Sequence, residues 1–342
     1  MKKIIFVFLT ILLAATLWAE KVAVFDDIIK PDSFYLTENQ IFIVEFPHIY
    51  VYSLKDFTLI KKFGQRGEGP GEFIRFVRLH FQPGFIITHN QTRFSYFSRD
   101  FKYIKEVKVP IQFNRGAVPM GNGVVVSHTV PGKENPNEVD LTVNLYDASF
   151  KKVKEIFRQR YYFQLHRDIN VIYLPEVDRR TGIRFFVCSD KIFIEGEDGV
   201  TGNIYVFNKN GEKIYTIKHE FERLKVTDEH VNAVVEWHRV NKRRLYDILK
   251  QRKQLYTPGY FPAIRSLKVG DDKIHIIPYK KKKGKNRLFI FNLEGKLLKE
   301  MDAPLKESSI FSFYPFAIKN GKVFQIIENE DEQWELHVTG IQ

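Results

Sequence analysis

One strand-turn-strand phrase recurs five times along the 342 residues of this chain. It joins an alternating, aromatic-rich run to a tight turn and then a basic strand: IYVYSLKDFTLIKKF from Ile49, YFSRDFKYIKEV from Tyr96, LYDASFKKVKEI from Leu145, IYVFNKNGEKIYTI from Ile204 and LFIFNLEGKLLKEM from Leu288. Alternation of apolar and polar residues is the period of a strand with one buried face. The equivalent aliphatics Ile60, Ile104, Val153, Ile214 and Leu298 are spaced by 44, 49, 61 and 84 residues. Strand repeats of about 40–50 residues mark propeller blades, and the two wider intervals are stretched by insertions.

A second strand stands ahead of each hairpin: QIFIVE from Gln40, GFIIT from Gly84, GVVVS from Gly123, DKIFIE from Asp190 and DKIHII from Asp272, with a sixth, GKVFQII, from Gly321. A further strand precedes these, as in IRFVRLHF from Ile74 and GIRFFVCS from Gly182. The pattern predicts an all-β, six-bladed β-propeller of four-stranded blades, strand A nearest the axis and strand D at the rim. The sixth blade is one strand short, because EQWELHVTGIQ (Glu332–Gln342) is its strand C. KVAVFDD (Lys21–Asp27) is predicted to supply the missing strand D and close the ring. That would pair an open sheet edge that otherwise presents unpaired N–H and C=O groups; a disordered N-terminal tail is the alternative.

The first 19 residues read differently. Lys2 and Lys3 precede an apolar run from Ile4 to Leu13, then small residues, Trp18-Ala19 and the charged Glu20-Lys21. This is the pattern of a signal peptide cleaved after Ala19, leaving residues 20–342 as the propeller. The apolar stretch, Ile4 to Ala19, falls short of the roughly 20 residues of a membrane span. Export to the periplasm or beyond the cell is expected. No Cys follows the leader, so no lipid anchor is expected, and the single thiol, Cys188, reads as apolar filler on an inner strand.

The net charge is +12, or +10 without the leader's two lysines (51 minus 41). A basic surface suits anionic partners such as polysaccharide, acidic peptide or phospholipid, and export argues against nucleic acid. Part of the excess is local: Lys280 to Lys283, Lys285 and Arg287 fall in one hairpin, where a solvated tip is the plain reading.

FGQRGEGPGEF (Phe63–Phe73), directly after the first outer strand, resembles the Gly-rich blade junction of NHL/TolB-like six-bladed propellers, particularly exported bacterial ones of unassigned function. The following Ile74-Arg75-Phe76 depart from the Pro and small apolar residues usual there. The resemblance implies a closed six-bladed ring. Chemically, the glycines suit a tight drop from rim to axis. A phosphate cradle is the sharper alternative, but the Gly-Lys-Ser/Thr ending of a P-loop is absent.

Turns from A to B and from C to D are short, whereas the D-to-A and several B-to-C connections are long, so the insertions decorate one face. Phe157–Gly182 is rich in Arg, Tyr and Asp. A helical insertion spans about residues 221–262: Thr227 caps it, Asp228 and Glu229 make an acidic first turn, and Val231, Val234, Val235, His238, Leu245, Ile248, Leu249 and Arg252 recur at helical spacing until Pro258-Gly259. Its apolar stripe is expected to pack on the rim as a lid; peripheral contact with a membrane surface or partner through the basic side is the alternative.

Arg75, Arg115, Arg184 and Arg265 stand 10, 9, 8 and 9 residues ahead of Phe85, Val124, Ile192 and Ile274, the first apolar residues of their strands B. Four of six blades thereby place a guanidinium where the inner strand begins, around the mouth of the axial channel. Converging arginines suit carboxylate, sulfate or phosphate ligands, and pairing with Asp168, Glu176 or Asp178 is the competing reading. The ten histidines form no compact metal motif, and His48, His89, His128 and His166 lie toward the decorated face. No catalytic constellation emerges. The expectation is a binding or scaffold propeller that recognises an anionic ligand or partner protein on the long-loop face; a propeller hydrolase or lyase with a divalent metal in the channel is the alternative.

Overall fold

The computed structural model describes residues 20–90, 92–110, 113, 116–131, 138–162, 183–188, 190–197, 202–241, 243, 247, 259–309 and 312–341. The described strands form six antiparallel four-stranded sheets. Strand β1 (Glu20–Phe25) opens the chain. Blade one follows with β2 (Ser33–Leu36), β3 (Gln40–Glu45), β4 (His48–Ser53) and β5 (Leu59–Phe63). Blade two has β6 (Arg78–Gln82), β7 (Phe85–Asn90), β8 (Arg93–Phe97) and β9 (Tyr103–Lys108). Blade three is the tallest, with β10 (Ala117–Met120), β11 (Gly123–Pro131), β12 (Glu138–Tyr146) and β13 (Lys152–Tyr162). Blade four comprises β14 (Phe185–Cys188), β15 (Lys191–Glu197), β16 (Gly202–Asn208) and β17 (Lys213–Ile217). After helix α1 (Asp228–Asn241) comes blade five: β18 (Ile264–Gly270), β19 (Lys273–Pro278), β20 (Arg287–Asn292) and β21 (Leu297–Asp302). Blade six has β22 (Phe316–Lys319), β23 (Lys322–Glu328) and β24 (Trp334–Gly340).

The missing strand of blade six is β1, which pairs antiparallel with β24 from Glu20 opposite Val338 to Phe25 opposite Trp334. The sheet order β1-β24-β23-β22 makes the head of the described chain the outer strand of its last blade. First strands of neighbouring blades touch, β10 with β14, β14 with β18, β18 with β22 and β22 with β2, which sets them around a common axis.

Blades are held face to face by apolar clusters that each draw on two sheets. Phe25, Tyr50 and Tyr52 meet Ile326, Trp334 and Leu336 across the closure, and Phe193, Ile204 and Val206 meet Ile264, Ile274 and Ile276 between blades four and five. Burying one such side chain contributes about 1.5–3 kcal/mol, so closure gains several of these increments at once.

The aliphatic that reveals the repeat is not a core residue. In each outer strand of blades one, two, four and five it is an extra residue: Leu59 pairs with Tyr52 and Lys61 with Val51, leaving Ile60 unopposed, and Ile104, Ile214 and Leu298 occupy the same position in their strands. Val153 does so in blade three and Val22 in the closing strand. These are β-bulges, which turn the strand and aim the extra side chain away from the packed faces. Ile60, Ile104, Val153, Ile214 and Leu298 are accordingly 47–64 % exposed.

Helix α1 follows the sequence at its start, with Val231 N–H donating to the Thr227 carbonyl at 3.2 Å and acidic residues in its first turn. None of its described side chains is buried, and Trp237 and Val240 are exposed. Its tie to the body runs through the His230 ring, 4.9 Å from that of Phe261. Of the stripe, Val231 and Val235 are half-buried. Leu245, Ile248, Leu249 and Arg252 lie outside the described residues, as do residues 1–19 and most of the insertion at 157–182.

Candidate functional site

The long connections share a face with the entries of the inner strands, and the arginines lie there on different footings. Arg184, immediately ahead of β14, spans two blades. Its Nη1 donates to the Arg265 carbonyl at 2.8 Å and its Nη2 to the Ile264 carbonyl at 2.7 Å, both at the start of β18. Its Nε lies 2.8 Å from Glu195 Oε2 and its Nη2 donates to Oε1 at 3.1 Å. Glu195 is fully buried while the arginine side chain stays 34 % exposed. All three guanidinium nitrogens are engaged, while the side chain keeps some solvent exposure.

Arg265 is embedded. Its Nη1 donates to Glu307 and, at 3.3 Å, to Asn286 Oδ1, and its guanidinium lies over the Phe313 ring at 4.0 Å. Lys281 Nζ reaches the other oxygen of Glu307 at 2.7 Å. Burial alone would raise the Glu307 carboxyl; the bonds from Arg265 and Lys281 outweigh it and hold the group below the usual carboxylate range. Arg75 is exposed. Arg115, with Asp168, Glu176, Asp178 and His166, lies outside the described residues. Of the four arginines, the structure therefore brings Arg184 and Arg265 into direct contact, and among the described residues Glu195 and Glu307 engage them.

The cation that sequence reading missed is Lys268. It sits on β18 opposite His275 of β19, two residues before the last A–B pair. At that register the other inner strands carry Tyr35, His80, Val118, Phe186 and Ala317. Its Nζ lies 5.1 Å from the ring centroid of Phe316 on blade six, and it also feels the charge of Arg184 on blade four. No carboxylate pairs with it among the described residues. Burial, and then the Arg184 charge, push its ammonium pKa below the ordinary lysine value. The residue remains partly accessible. A lysine between Leu267 and Val269 in an inner strand was the available signal; its register with the other blades was not.

The remaining motifs resolve structurally. In the Gly-rich junction Glu72 folds back so that Gly69 N–H donates to its Oε2 at 2.7 Å and Gln65 Nε2 to its Oε1 at 2.5 Å. Phe73 beside it is fully buried. A carboxylate thus fills the loop where a phosphate would need free N–H groups. The basic hairpin of blade five is largely neutralised: Lys280 pairs with Glu222 at 2.9 Å, Lys282 with Glu300 at 3.6 Å and Lys285 with Asp302 at 3.1 Å. Between this hairpin and the connection leaving β21 lies a recess of about 600 Å³, lined by Lys281, Lys285, Asn286, Asp302 and Glu307. Among the histidines, His48 Nδ1 meets the Gly64 carbonyl at 2.8 Å, His128 Nε2 meets the Tyr146 hydroxyl at 2.9 Å, and His89 is buried. No group of three His, Cys, Asp or Glu among the described residues is placed to hold a metal ion. Cys188 is half-buried at the end of β14.

No protein-family model and no curated protein matches the sequence. Among solved structures the chain is similar to a Kluyveromyces lactis Hsv2 with loop 6CD replaced by a Gly-Ser linker, at 13 % identity over 89 % of this chain and 82 % of that one, TM-score 0.38. It is also similar to a Bacteroides caccae protein of unknown function, at 10 % identity over 84 % of this chain and 82 % of that one, TM-score 0.37. Superpositions this loose carry no functional argument. What the site offers is its own chemistry: an anchored, partly exposed guanidinium at the entry of β18 and an ammonium three residues further along that strand, toward the A–B turn.

Proposed function

We propose that the chain is an exported, NHL/TolB-like binding propeller that recognises an anionic ligand at the channel mouth on its long-loop face. The carrying observation is Lys268, an ammonium on the innermost strand three residues inward of Arg265, with no described carboxylate against it. Its burial costs free energy that an incoming carboxylate or similar oxyanion would offset, because opposite charges attract strongly in a poorly screened passage. Arg265 and Glu195 serve as the frame: they fix the Arg184 guanidinium so that little side-chain entropy remains to be lost on binding. Arg75 stands exposed ahead of its inner strand and adds to the positive field at that end. The N-terminal pattern of Lys2, Lys3 and the apolar run supports export, which suits an acidic carbohydrate, peptide or partner protein rather than nucleic acid.

The test is retention on an acidic-glycan array, with Lys268→Met and Arg75→Ala compared to the parent chain. Both changes spare the buried pairs. Loss of retention with Lys268→Met and weakening with Arg75→Ala are expected; retention unchanged by both would remove the channel mouth from consideration.

A further inference from the structure

We propose that the recess beside the basic hairpin of blade five binds an oxyanion ester of a sugar, its sulfate or phosphate group seated between the Lys281 and Lys285 ammoniums and its hydroxyls against Asp302 and Glu307. The site draws on neither Lys268 nor Arg184.

A tight turn places the two lysines. Lys282 N–H donates to the Lys285 carbonyl at 2.9 Å and Lys285 N–H to the Lys282 carbonyl at 3.0 Å, with Lys283 and Gly284 between them at φ +50 and +77. Positive φ at both central residues is the type I′ geometry of a two-residue hairpin loop. Lys281 and Lys285 thus stand on opposite arms of one fixed loop, and both line the recess of about 600 Å³. Much of the remaining lining comes from the connection leaving β21, Asp302 to Leu305 and Glu307. Ala303 N–H fastens that connection to the hairpin by donating to the Asn286 carbonyl at 2.8 Å, and the buried Asn286 side chain completes the lining.

Each carboxylate of the recess has an inner and an outer cation. Glu307 Oε1 is held by Arg265 and takes a bond from Asn286 Nδ2 at 3.2 Å, while Lys281 reaches Oε2 at 2.7 Å. Asp302 Oδ1 is held by Arg287, and Lys285 lies 3.1 Å from Oδ2. The arginine side chains are 4 % and 19 % exposed, the lysines 39 % and 70 %, so the arginines are the fixed partners. Either lysine can turn to a ligand without stranding a carboxylate. Arg287 also pairs with Glu300, as does Lys282, so among the described residues three cations of the hairpin share two carboxylates. An ammonium has three N–H donors, and Lys281 and Lys285 each direct one at a carboxylate. The others are available to an anion.

Volume and lining set the ligand class. The recess falls within the range of small-molecule sites, roughly 300–1,000 Å³, and a bare sulfate or phosphate would leave most of it unfilled. An ester offers three terminal oxygens, acceptors enough for both ammoniums, on a body that occupies the remainder. A sugar body matches the other residues: its hydroxyls donate to lone pairs of Asp302 and Glu307, and its C–H faces meet Ala303, Pro304 and Leu305.

Calorimetric titration of the full chain with glucose 6-sulfate, glucose 6-phosphate and glucose, at one ionic strength, tests the assignment. An ester should bind and glucose should not, and the tighter of the two esters names the group. Lys281→Met and Lys285→Met should each weaken that ester about tenfold, the effect of losing one charge-assisted bond. Their urea midpoints should match the parent's, because Arg265 and Arg287 stay on the carboxylates. Lys55→Met, the same loss of charge at an exposed turn of blade one, should leave ester affinity unchanged. Binding of neither ester, equal binding of glucose, or an affinity moved no more by the recess variants than by Lys55→Met would overturn the proposal. Lys268→Met in parallel keeps the two sites distinct: affinity lost there and kept in the recess variants would assign the ester to the channel mouth and end the recess proposal alone.

Discussion

Trp334 Nε1 donates to the carbonyl of Ile29 at 2.8 Å, joining residues 305 apart in sequence. The bond sits where β1 completes the last blade, beside the Tyr314 ring, 6.1 Å from the indole. Closure therefore has a polar fastening as well as its strand ladder. Trp334→Phe should cost about 1 kcal/mol in urea unfolding, the usual net worth of one hydrogen bond. Deleting residues 20–25 bares the β24 edge and should yield aggregates by light scattering. A monomeric deletion variant of unchanged stability would show that the ring does not depend on its closing strand.

The Arg184–Glu195 pair gives a sharper test of the frame. Glu195 is wholly buried, so Arg184→Met strands a carboxylate and should destabilise by about 3–5 kcal/mol. Adding Glu195→Gln should recover most of that loss, because the remaining group is neutral. Equal losses in the single and double variants would place the cost in packing instead.

Bulge positions and core positions should separate cleanly. Ile104→Lys, on the exposed bulge of β9, should alter stability by less than about 0.5 kcal/mol, whereas Ile87→Ala in the same blade should cost roughly 2–5 kcal/mol. At the C–D turn of blade five, Gly295 has φ +86 and a Cβ there would lie 2.7 Å from Ile217 Cγ1. Gly295→Ala should therefore lose at least about 1 kcal/mol. Thermal unfolding of the three variants checks the ordering.

Stability should fall in mild acid because of His275. Burial, aided by the Lys273 charge, pushes its pKa down to about 4 from an ordinary 6.5. His80 is pushed to about 3, by burial first and then by His89 and Arg78. A depressed folded-state pKa means that the unfolded chain binds the proton more readily. The contribution is full above the ordinary histidine value and drains away as pH falls toward the folded value. His275→Asn should flatten the dependence of the urea midpoint on pH in that window, while a slope unchanged by the substitution would assign it elsewhere.

Expression with the native leader should give a mature chain whose first residue is Glu20. N-terminal sequencing of the exported fraction reads this directly. Retention of Met1 on protein held in the membrane fraction would replace a cleaved leader with an anchor.

Strand order, blade number and closure were legible in the sequence, because a hairpin repeated five times needs only local alternation and turn residues to be recognised. The helix start was legible for the same reason: Thr227 and the acids after it act within one turn. The exposure of Trp237 and Val240 was not, since burial is decided by surface from other parts of the chain. Ile60 and its equivalents mark the repeat in sequence, yet a one-residue slip in the ladder turns them to solvent, and no local pattern records such a slip. The arginines at the inner-strand entries were countable, but their partners, Glu195 eleven residues after Arg184 and Glu307 forty-two after Arg265, meet them only through sheet pairing and the blade connections. Lys268 became notable only when neighbouring blades set Phe316 and Arg184 around it. Periodicity fixed what each strand is; the ring decided which charges share a dielectric.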